Sequence, residues 1–242
     1  MAFYGSFPAY VPVAERKERA LASVEKLRKK NQDIAPVIIT GKKITTTWWG
    51  KSWSDNLERY SDYSNRIGRG RSYVRNGAVL DLKIIQGSIT ALVQGSESKP
   101  YKVDISIKPL AKNIWESIIK DCSGKIDSLQ ELVEGRFPKA LADLFTAQKK
   151  GLFPSPKEIN LSCSCPDSAR MCKHVAAALY GVGARLDEDT SLFFVLRNVN
   201  VDDLISESIM KKSQSLLEKS KRKGRRVIED ADISDMFGID VE

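Results

Sequence analysis

Apolar and polar residues alternate between positions 72 and 108, most regularly at 102–108. A period of two residues is that of strands with one buried face. The dipeptide Asn76-Gly77 inside this segment is typical of a tight hairpin turn, and further turn residues follow near positions 87 and 95. The pattern predicts four antiparallel strands that follow one another as a meander.

A helical period of apolar residues is found on both sides of the alternating segment. It predicts helices at 14–31, from Ser52 or Ser54 onward, at 110–121, 127–134, 138–149 and 173–186, a helix or turn at 191–197, and a short helix through 211. Short strands are predicted at 37–39 and 158–164. The predicted fold class is therefore α+β, an antiparallel β-meander with flanking helices.

One segment of twelve residues contains three of the four cysteines and the single histidine of the chain. These residues are Cys163, Cys165, Cys172 and His174. Because side chains two positions apart on a strand point to the same side, Cys163 and Cys165 are expected to project together. Cys172 and His174 follow after a turn, at the start of the predicted helix. Zn²⁺ prefers this donor set, and four protein ligands make the expected role of the metal structural.

Other roles explain fewer of these four residues. A disulfide between Cys163 and Cys165 would be strained by so short a loop and leaves His174 without a function. A thiol–histidine nucleophile uses one cysteine and leaves two unexplained. Cys122 has no cysteine or histidine neighbour at such a spacing, so we expect it to be a free, apolar residue.

The motif and the helix that follows it, CSCPDSARMCKHVAAALYGV, resemble the SWIM zinc finger. Upstream, TTWWGKSW at 46–53 and RIGRGRSYVRNGAV at 66–79 are similar to segments of prokaryotic SWIM proteins. The resemblance implies DNA-binding and protein-interaction roles and, for that prokaryotic group, a Swi/Snf-type helicase as a partner. We accordingly predict a small zinc-stabilised, ββα-like SWIM unit.

The net charge of +8 is unevenly distributed. Residues 211–226 carry eight lysines and arginines against one glutamate, whereas 227–242 carry six acids and no base. The expected organisation is an α+β domain at 1–150, the SWIM region at 151–210 and a charged, flexible tail at 211–242. The acidic end of that tail fits either a solvated terminus or a peptide that docks in a basic groove of a partner.

The composition also bears on where the protein is expected to act. No apolar run approaches the ~20 residues needed to cross a bilayer. The first residues lack the basic start and apolar core of a secretory signal. Cysteines that bind a metal suit a reducing interior. We therefore expect an intracellular, cytoplasmic protein, associated with the nucleoid where it binds DNA.

Basic residues spaced by glycine suggest contacts with phosphate. The Gly-Arg alternation at 66–75 lets backbone and guanidinium groups approach a phosphate closely, although a flexible, solvated loop fits the composition equally well. Two further basic residues lie near the metal ligands, Lys173 at the predicted helix start and Arg170 in the connecting loop. The candidate nucleic-acid contacts are Arg66, Arg69, Arg71, Arg75, Arg170 and Lys173.

Two other segments allow two interpretations each. The basic amphipathic helix at 14–31 fits a surface helix packed on the core, or a helix that faces phosphates. The three tryptophans of 46–53 fit a packing centre, or rings that stack on the bases of single-stranded nucleic acid. Packing is the commoner arrangement for both.

The sequence thus predicts a zinc-binding, nucleic-acid-associated module that binds DNA. The alternative is a protein–protein adaptor that acts through the zinc finger or the acidic tail without touching DNA. Catalysis is not expected, since the metal binds the single histidine and the sequence lacks the complete G-x-x-x-x-G-K-S/T loop that binds phosphates.

Overall fold

A computed structural model describes residues 12–59, 64–123, 125 and 128–221 of the chain. It contains a four-stranded sheet with the order β1-β2-β3-β4, antiparallel throughout. The strands are β1 (Val79–Ile85), β2 (Ser88–Val93), β3 (Tyr101–Ile107) and β4 (Ile159–Cys163). The prediction of a mixed fold with an antiparallel four-stranded sheet is confirmed.

Nine helices lie in the described residues. They are α1 (Val13–Arg28), α2 (Trp48–Arg59), α3 (Ser64–Arg75), α4 (Lys112–Cys122), α5 (Leu129–Val133), α6 (Lys139–Thr146), α7 (Lys173–Glu188), α8 (Ser191–Arg197) and α9 (Val201–Lys221). All of these helices except α3 were predicted. Most of the predicted ends differ from the observed ones by a few residues, whereas α9 extends about three turns beyond its predicted end. No helix in these ranges combines the length and the apolar composition that crossing a membrane requires.

Helix α7 is the centre of the main core. All residues from 174 to 184 are buried, so neighbours must cover this helix on every side. The sheet supplies one neighbour, with Val103, Ile105 and Ile107 alternating into the same core. Helices α2 and α3 pack on its other sides. The elements that frame the Cys and His residues are therefore fixed by the core of the whole fold.

A second, smaller core lies between α1 and the sheet. It consists of Ala20, Val24, Ile34 and Leu80, with Leu92 packed against it. The opposite side of α1 is exposed to solvent and carries most of its charged residues. The interpretation of 14–31 as a packed surface helix is confirmed by this burial.

The tryptophans of 46–53 form a packing centre. Trp49 and Trp53 have no exposed surface. The indole N–H of Trp49 donates to the carbonyl oxygen of Leu132 at 2.8 Å, and the indole N–H of Trp53 donates to the carbonyl oxygen of Leu179 at 2.8 Å. The Trp49 ring lies 5.4 Å from that of Phe193 between ring centres. Rings buried in this way have no free face for a nucleobase, so the packing interpretation is confirmed for both residues.

The hairpin predicted at Asn76-Gly77 is wrong, because the preceding residues form α3. Gly77 has a φ of 71° and ends that helix, where a left-handed residue is favourable. The Gly77 N–H donates to the carbonyl oxygen of Val74 at 3.1 Å, and the Ala78 N–H donates to the carbonyl oxygen of Tyr73 at 3.0 Å. The fourth strand of the sheet is instead β4, about 50 residues after β3 in the chain.

Two other local predictions also differ from the structure. Residues 37–39 are not a strand, although the segment lies beside β1. Two backbone hydrogen bonds join them: the Val37 N–H donates to the carbonyl oxygen of Val79, and the Leu82 N–H donates to that of Ala35. Pro36 in this segment has no N–H to continue the pairing. Helix α9 continues to residue 221, so the first third of the tail predicted to be flexible is helical.

The predicted division into 1–150, 151–210 and 211–242 stays a prediction. Strand β4 pairs with β3, and α7 shares its core with α2, α3 and the sheet. The SWIM region is thus joined to the elements that precede it. The acidic end of the tail, at 227–242, lies outside the described residues.

Candidate metal centre

The four predicted ligands come from the end of β4 and the start of α7. Cys163 is the last residue of β4 and pairs with Val103 of β3, facing the core side of the sheet. The pairing continues beyond the strand, since Ser164 N–H donates to the carbonyl oxygen of Lys102 at 3.0 Å and Lys102 N–H to the Ser164 hydroxyl at 3.0 Å. This extension keeps Cys165 on the same side as Cys163, as their spacing predicts.

The other two ligands begin helix α7. Cys172 is its N-cap residue, and its sulfur accepts a hydrogen bond from the Val175 N–H at 3.5 Å. Lys173 is the first helical residue and His174 the second. A sulfur at the N-cap position takes up one of the N–H groups that a helix start leaves unpaired. The fold thus fixes the direction in which Cys172 and His174 point.

The distances among the ligand atoms fit a tetrahedral metal site. One ligand atom from each of the four residues lies within 4.8 Å of all the others. The Nδ1 atom of His174 is 3.9 Å from the sulfur of Cys163 and 3.9 Å from that of Cys172. A tetrahedron of sulfurs about 2.3 Å from zinc has edges of about 3.8 Å. Cys163, Cys165 and Cys172 form no disulfide, so the donor set is intact.

Burial disfavours the charged forms of Cys163, Cys172 and His174. Burial raises the pKa of the Cys163 and Cys172 thiols. Burial and the charge of Lys173 lower the pKa of His174 to about 4, so its imidazole is neutral at neutral pH. A neutral imidazole is the form that binds metals, and a divalent cation offsets the cost of ionising buried thiols.

The imidazole of His174 is held by residues that the motif does not contain. Its ring centre lies 4.5 Å from that of Tyr101 and 5.5 Å from that of Tyr73. Gly95 leaves room for the ring, because a Cβ atom there would lie 2.9 Å from Nε2. The Nε2 atom is buried without a hydrogen-bond partner among the described residues, whereas Nδ1 faces the sulfurs.

The motif does not predict the residues that surround the His174 ring. Gly95 and Tyr101 precede β4 by about 60 residues, and neither stands beside a cysteine or histidine in the chain. Their role depends on the pairing of β3 with β4, which brings the start of β3 next to the end of β4. An alternating pattern at 102–108 is the only signal that the sequence offers for this neighbourhood.

Two of the candidate arginines are engaged within the protein. The Arg66 guanidinium lies 3.2 Å from the carboxylate of Asp167, in the turn between the cysteines. Arg71 pairs with Glu58 of α2, and its Nε donates to the hydroxyl of Tyr180 at 2.8 Å. The segment 66–75 is therefore part of a helix that is bound to α2 and α7, and the alternative interpretation as a flexible, solvated loop is wrong.

The remaining candidates lie at the surface. Arg69 and Arg75 are exposed on α3. The Lys173 ammonium is 5.8 Å from the ring centre of Tyr73. Arg170 is exposed, and its guanidinium donates to the carbonyl oxygen of Ile159 at 3.2 Å. Contact of these residues with nucleic acid stays a prediction.

Comparison with known proteins agrees with this geometry. Residues 149–182, which include all four candidate ligands, match the family model of the SWIM zinc finger. The chain is also 36% identical over 164 residues to the uncharacterized protein Rv2102 of Mycobacterium tuberculosis. That alignment covers 67% of this chain and 59% of the relative, so the chain spans less than two thirds of the relative's length. No solved structure matches. The family match and the Cys3His cluster together identify residues 149–182 as a SWIM zinc finger, a zinc-binding module.

Proposed function

We propose that the chain is a zinc-dependent nucleic-acid-binding module that contacts DNA through α3 and the first turn of α7. Residues Arg69, Arg75, Arg170 and Lys173 are the proposed contacts. In this proposal β3 and β4 are the strands and α7 is the helix of a ββα-like finger. The metal holds the end of the sheet against the start of the helix, and the surface beside it binds phosphates.

The contact between Lys173 and Tyr73 is the observation that carries the proposal. Arg69 and Tyr73 are four residues apart on α3 and therefore lie on the same side of that helix. The Lys173 ammonium lies over the Tyr73 ring. Arg69 and Lys173 thus both lie beside Tyr73, and two neighbouring cations on α3 and on the finger are suited to binding phosphates.

The metal connects the finger to this surface. Lys173 stands between two candidate ligands, Cys172 and His174, at the first position of a 16-residue helix. Metal binding fixes the backbone on both sides of Lys173. The N–H groups of a first helical turn also favour a phosphate. Loss of the metal should therefore weaken DNA binding even though no metal ligand touches DNA.

A binding role agrees with the donor set. Four protein ligands leave no open coordination position for a substrate or an activated water, so we propose no catalytic activity for this site. The proposal includes an intracellular location near the nucleoid, because free thiols that hold a metal are suited to a reducing compartment.

Salt-dependent titration tests the proposal directly. Fluorescence anisotropy with single- and double-stranded DNA would compare the wild type with a variant carrying Arg69→Ala and Lys173→Ala. The slope of log K against log salt is negative, and each lost phosphate contact reduces its magnitude by about 0.9 on duplex DNA. The slope of the double variant should therefore be smaller in magnitude by about 2. Lys120→Ala, an exposed lysine of α4, is the matched control and should change nothing. An unchanged slope in the double variant would reject this surface.

A protein–protein adaptor is the second candidate, and helix α9 favours it. Met210, Leu216 and Leu217 are more than half exposed along this helix. Exposed apolar residues on one helix mark a possible contact with another protein. The sequence resemblance suggests a Swi/Snf-type helicase as that partner. Adaptor function predicts that Leu216→Glu with Leu217→Glu abolishes helicase binding, while the protein shows no salt-dependent affinity for DNA.

A further inference from the structure

A cavity of about 350 Å³ opens at the end of β4 that lies away from the metal centre. Glu158, which precedes β4, lines it, whereas the metal ligand Cys163 is the last residue of that strand. Its charged lining residues are Lys108, Lys149, Arg197 and Glu158. A volume in this range is typical of sites for small ligands.

The start of α4 lines the same cavity. The N-cap residue of this 11-residue helix is Ala111, whose methyl side chain cannot accept a hydrogen bond, and the first turn contains no acid. The first N–H groups of a helix are left unpaired by the helix itself and carry partial positive charge. An anion in the cavity would take the place of the missing cap.

Arg197 provides a second, independent indication of a ligand. Its side chain is 1% exposed and lines the cavity. One terminal nitrogen donates to the carbonyl oxygen of Lys108 at 2.8 Å, and the other to Glu158 at 2.8 Å. The Nε atom is buried and has no hydrogen-bond partner among the described residues. A buried donor without a partner is costly, and a bound acceptor removes that cost.

Glu158 does not cancel the positive charge of the cavity. One of its oxygens accepts from Arg197, and the other accepts from the Ser155 N–H at 2.9 Å and the Ser155 hydroxyl at 2.7 Å. Three cationic side chains thus face one carboxylate whose two oxygens are already engaged. The side chains of Lys108 and Lys149 are exposed and available to a ligand.

We propose that this cavity binds the phosphate group of a phosphate monoester. A monoester carries nearly two negative charges at neutral pH, which matches the excess of cations. Its oxygens can accept from the start of α4, from Arg197 Nε and from the two lysines. Leu110, Ile114 and Phe153 give the cavity an apolar side for the rest of the molecule. The site does not depend on the DNA-binding surface, which lies on α3 and the start of α7.

Isothermal titration of the zinc-loaded protein with inorganic phosphate, adenosine monophosphate and adenosine tests this proposal at fixed ionic strength. Phosphate and the monophosphate should bind with one site each, and adenosine should not bind. Equal affinity for phosphate and monophosphate would identify the anion alone as the ligand, and tighter binding of the monophosphate would identify a monoester. Both results support the phosphate site.

Lys149→Gly is the most useful variant. Lys149 has a φ of 65°, which glycine adopts without strain, so this substitution removes the cation without weakening the fold. Loss of one charge-assisted contact should weaken monophosphate binding about tenfold. Lys108→Gln should do the same, since the hydrogen bonds of Lys108 with the described residues involve only its backbone. Lys150→Ala, at an exposed neighbouring position, is the control.

Three results would overturn the phosphate site. The first is that neither phosphate nor the monophosphate shows saturable binding. The second is that adenosine binds as tightly as its monophosphate. The third is that Lys149→Gly and Lys108→Gln leave the affinities unchanged. None of these measurements involves DNA or the α3 surface. The phosphate site and the proposed DNA-binding function are therefore tested independently of each other.

Discussion

Asp187, near the end of α7, caps the start of α2 through Thr47. One oxygen of its carboxylate accepts from the Thr47 hydroxyl at 2.6 Å and from the Thr47 N–H at 3.2 Å. The other oxygen accepts from the N–H and the hydroxyl of Thr46. Helix α2 has no acid in its own first turn, so a residue 140 positions away supplies the negative charge there.

We predict that Asp187→Ala lowers the free energy of unfolding by about 1–2 kcal/mol, the usual cost of losing a helix cap. Chemical denaturation monitored by tryptophan fluorescence measures this, since α2 carries three tryptophans. Glu188→Ala is the control. The Glu188 side chain is 58% exposed, so its ion pair with Arg185 should contribute less than about 1 kcal/mol. Equal effects of the two substitutions would contradict the cap.

Two glycines of α3 should respond in opposite ways to alanine. Gly70 lies against α7, where a Cβ atom would be 2.5 Å from the Cβ and 3.0 Å from the carbonyl carbon of Ala176. Gly68 has no such neighbour within 4 Å. Alanine in a helix is favoured over glycine by about 1 kcal/mol, so Gly68→Ala should stabilise the protein by roughly that amount.

Gly70→Ala should destabilise the protein despite the same gain in helix propensity, because α3 and α7 would have to move apart. Overpacking of this kind typically costs about 1–3 kcal/mol. Thermal unfolding of both variants measures the difference. A melting temperature that rises for both would show that α3 does not pack closely on α7.

The ion pair between Glu158 and Arg197 should make stability depend on pH. Burial acts to raise the pKa of Glu158, but hydrogen bonds from Ser155 and Arg197 outweigh it and the net pKa is lowered. A carboxyl with a lowered pKa stabilises the fold above its ordinary value of 4.5. That stabilisation should disappear as the pH falls through the lower, folded value.

Glu158→Gln should therefore cost about 3 kcal/mol at pH 7, because it leaves the buried Arg197 without its partner. The difference from the wild type should shrink below about pH 4 as the wild-type carboxyl becomes protonated. Glu116→Gln, in an exposed pair with Lys112, is the control and should have little effect at either pH. A constant difference across the pH range would rule out the ion pair as the cause.

Local patterns in the sequence predicted most of the metal centre. The spacing of Cys163 and Cys165 on a strand, and of Cys172 and His174 at a helix start, involves only neighbours in the chain. The apolar period of α4 and α7 predicted their positions for the same reason. Alternation at 102–108 predicted β3. Each of these signals is a direct consequence of which side of one element faces the core.

The features that were missed depend on contacts between distant segments. Helix α3 is rich in arginine and glycine, which hides its helical pattern in the sequence. Its buried side consists of Ile67, Gly70 and Val74, and this side becomes recognisable only once α3 is seen to pack on α7. Gly95 and Tyr101 support His174 only because β3 pairs with β4. The ion pairs of Arg66 with Asp167 and of Arg71 with Glu58 also join segments that are distant in the chain, so no local pattern predicts them.

The metal ligands should be essential for the fold around α7. We predict that Cys172→Ser and His174→Ala each lower bound zinc from one atom per chain to none and unfold the region from about 158 to 200, because metal and folding are coupled in such sites. Since α7 is the centre of the main core, the elements packed on it should lose stability as well. Metal analysis and thermal unfolding measure the two effects. Cys122→Ala is the control. It removes a buried thiol outside the cluster and should keep the zinc while lowering stability.

X-ray absorption at the zinc edge of the purified wild-type protein is the most direct test of the central claim. The Cys3His centre predicts three sulfur neighbours at about 2.3 Å and one nitrogen neighbour at about 2.0–2.1 Å, with no water in the first shell. A first shell of oxygen or nitrogen atoms, or fewer than three sulfurs, would contradict the centre and the fold of the finger built on it.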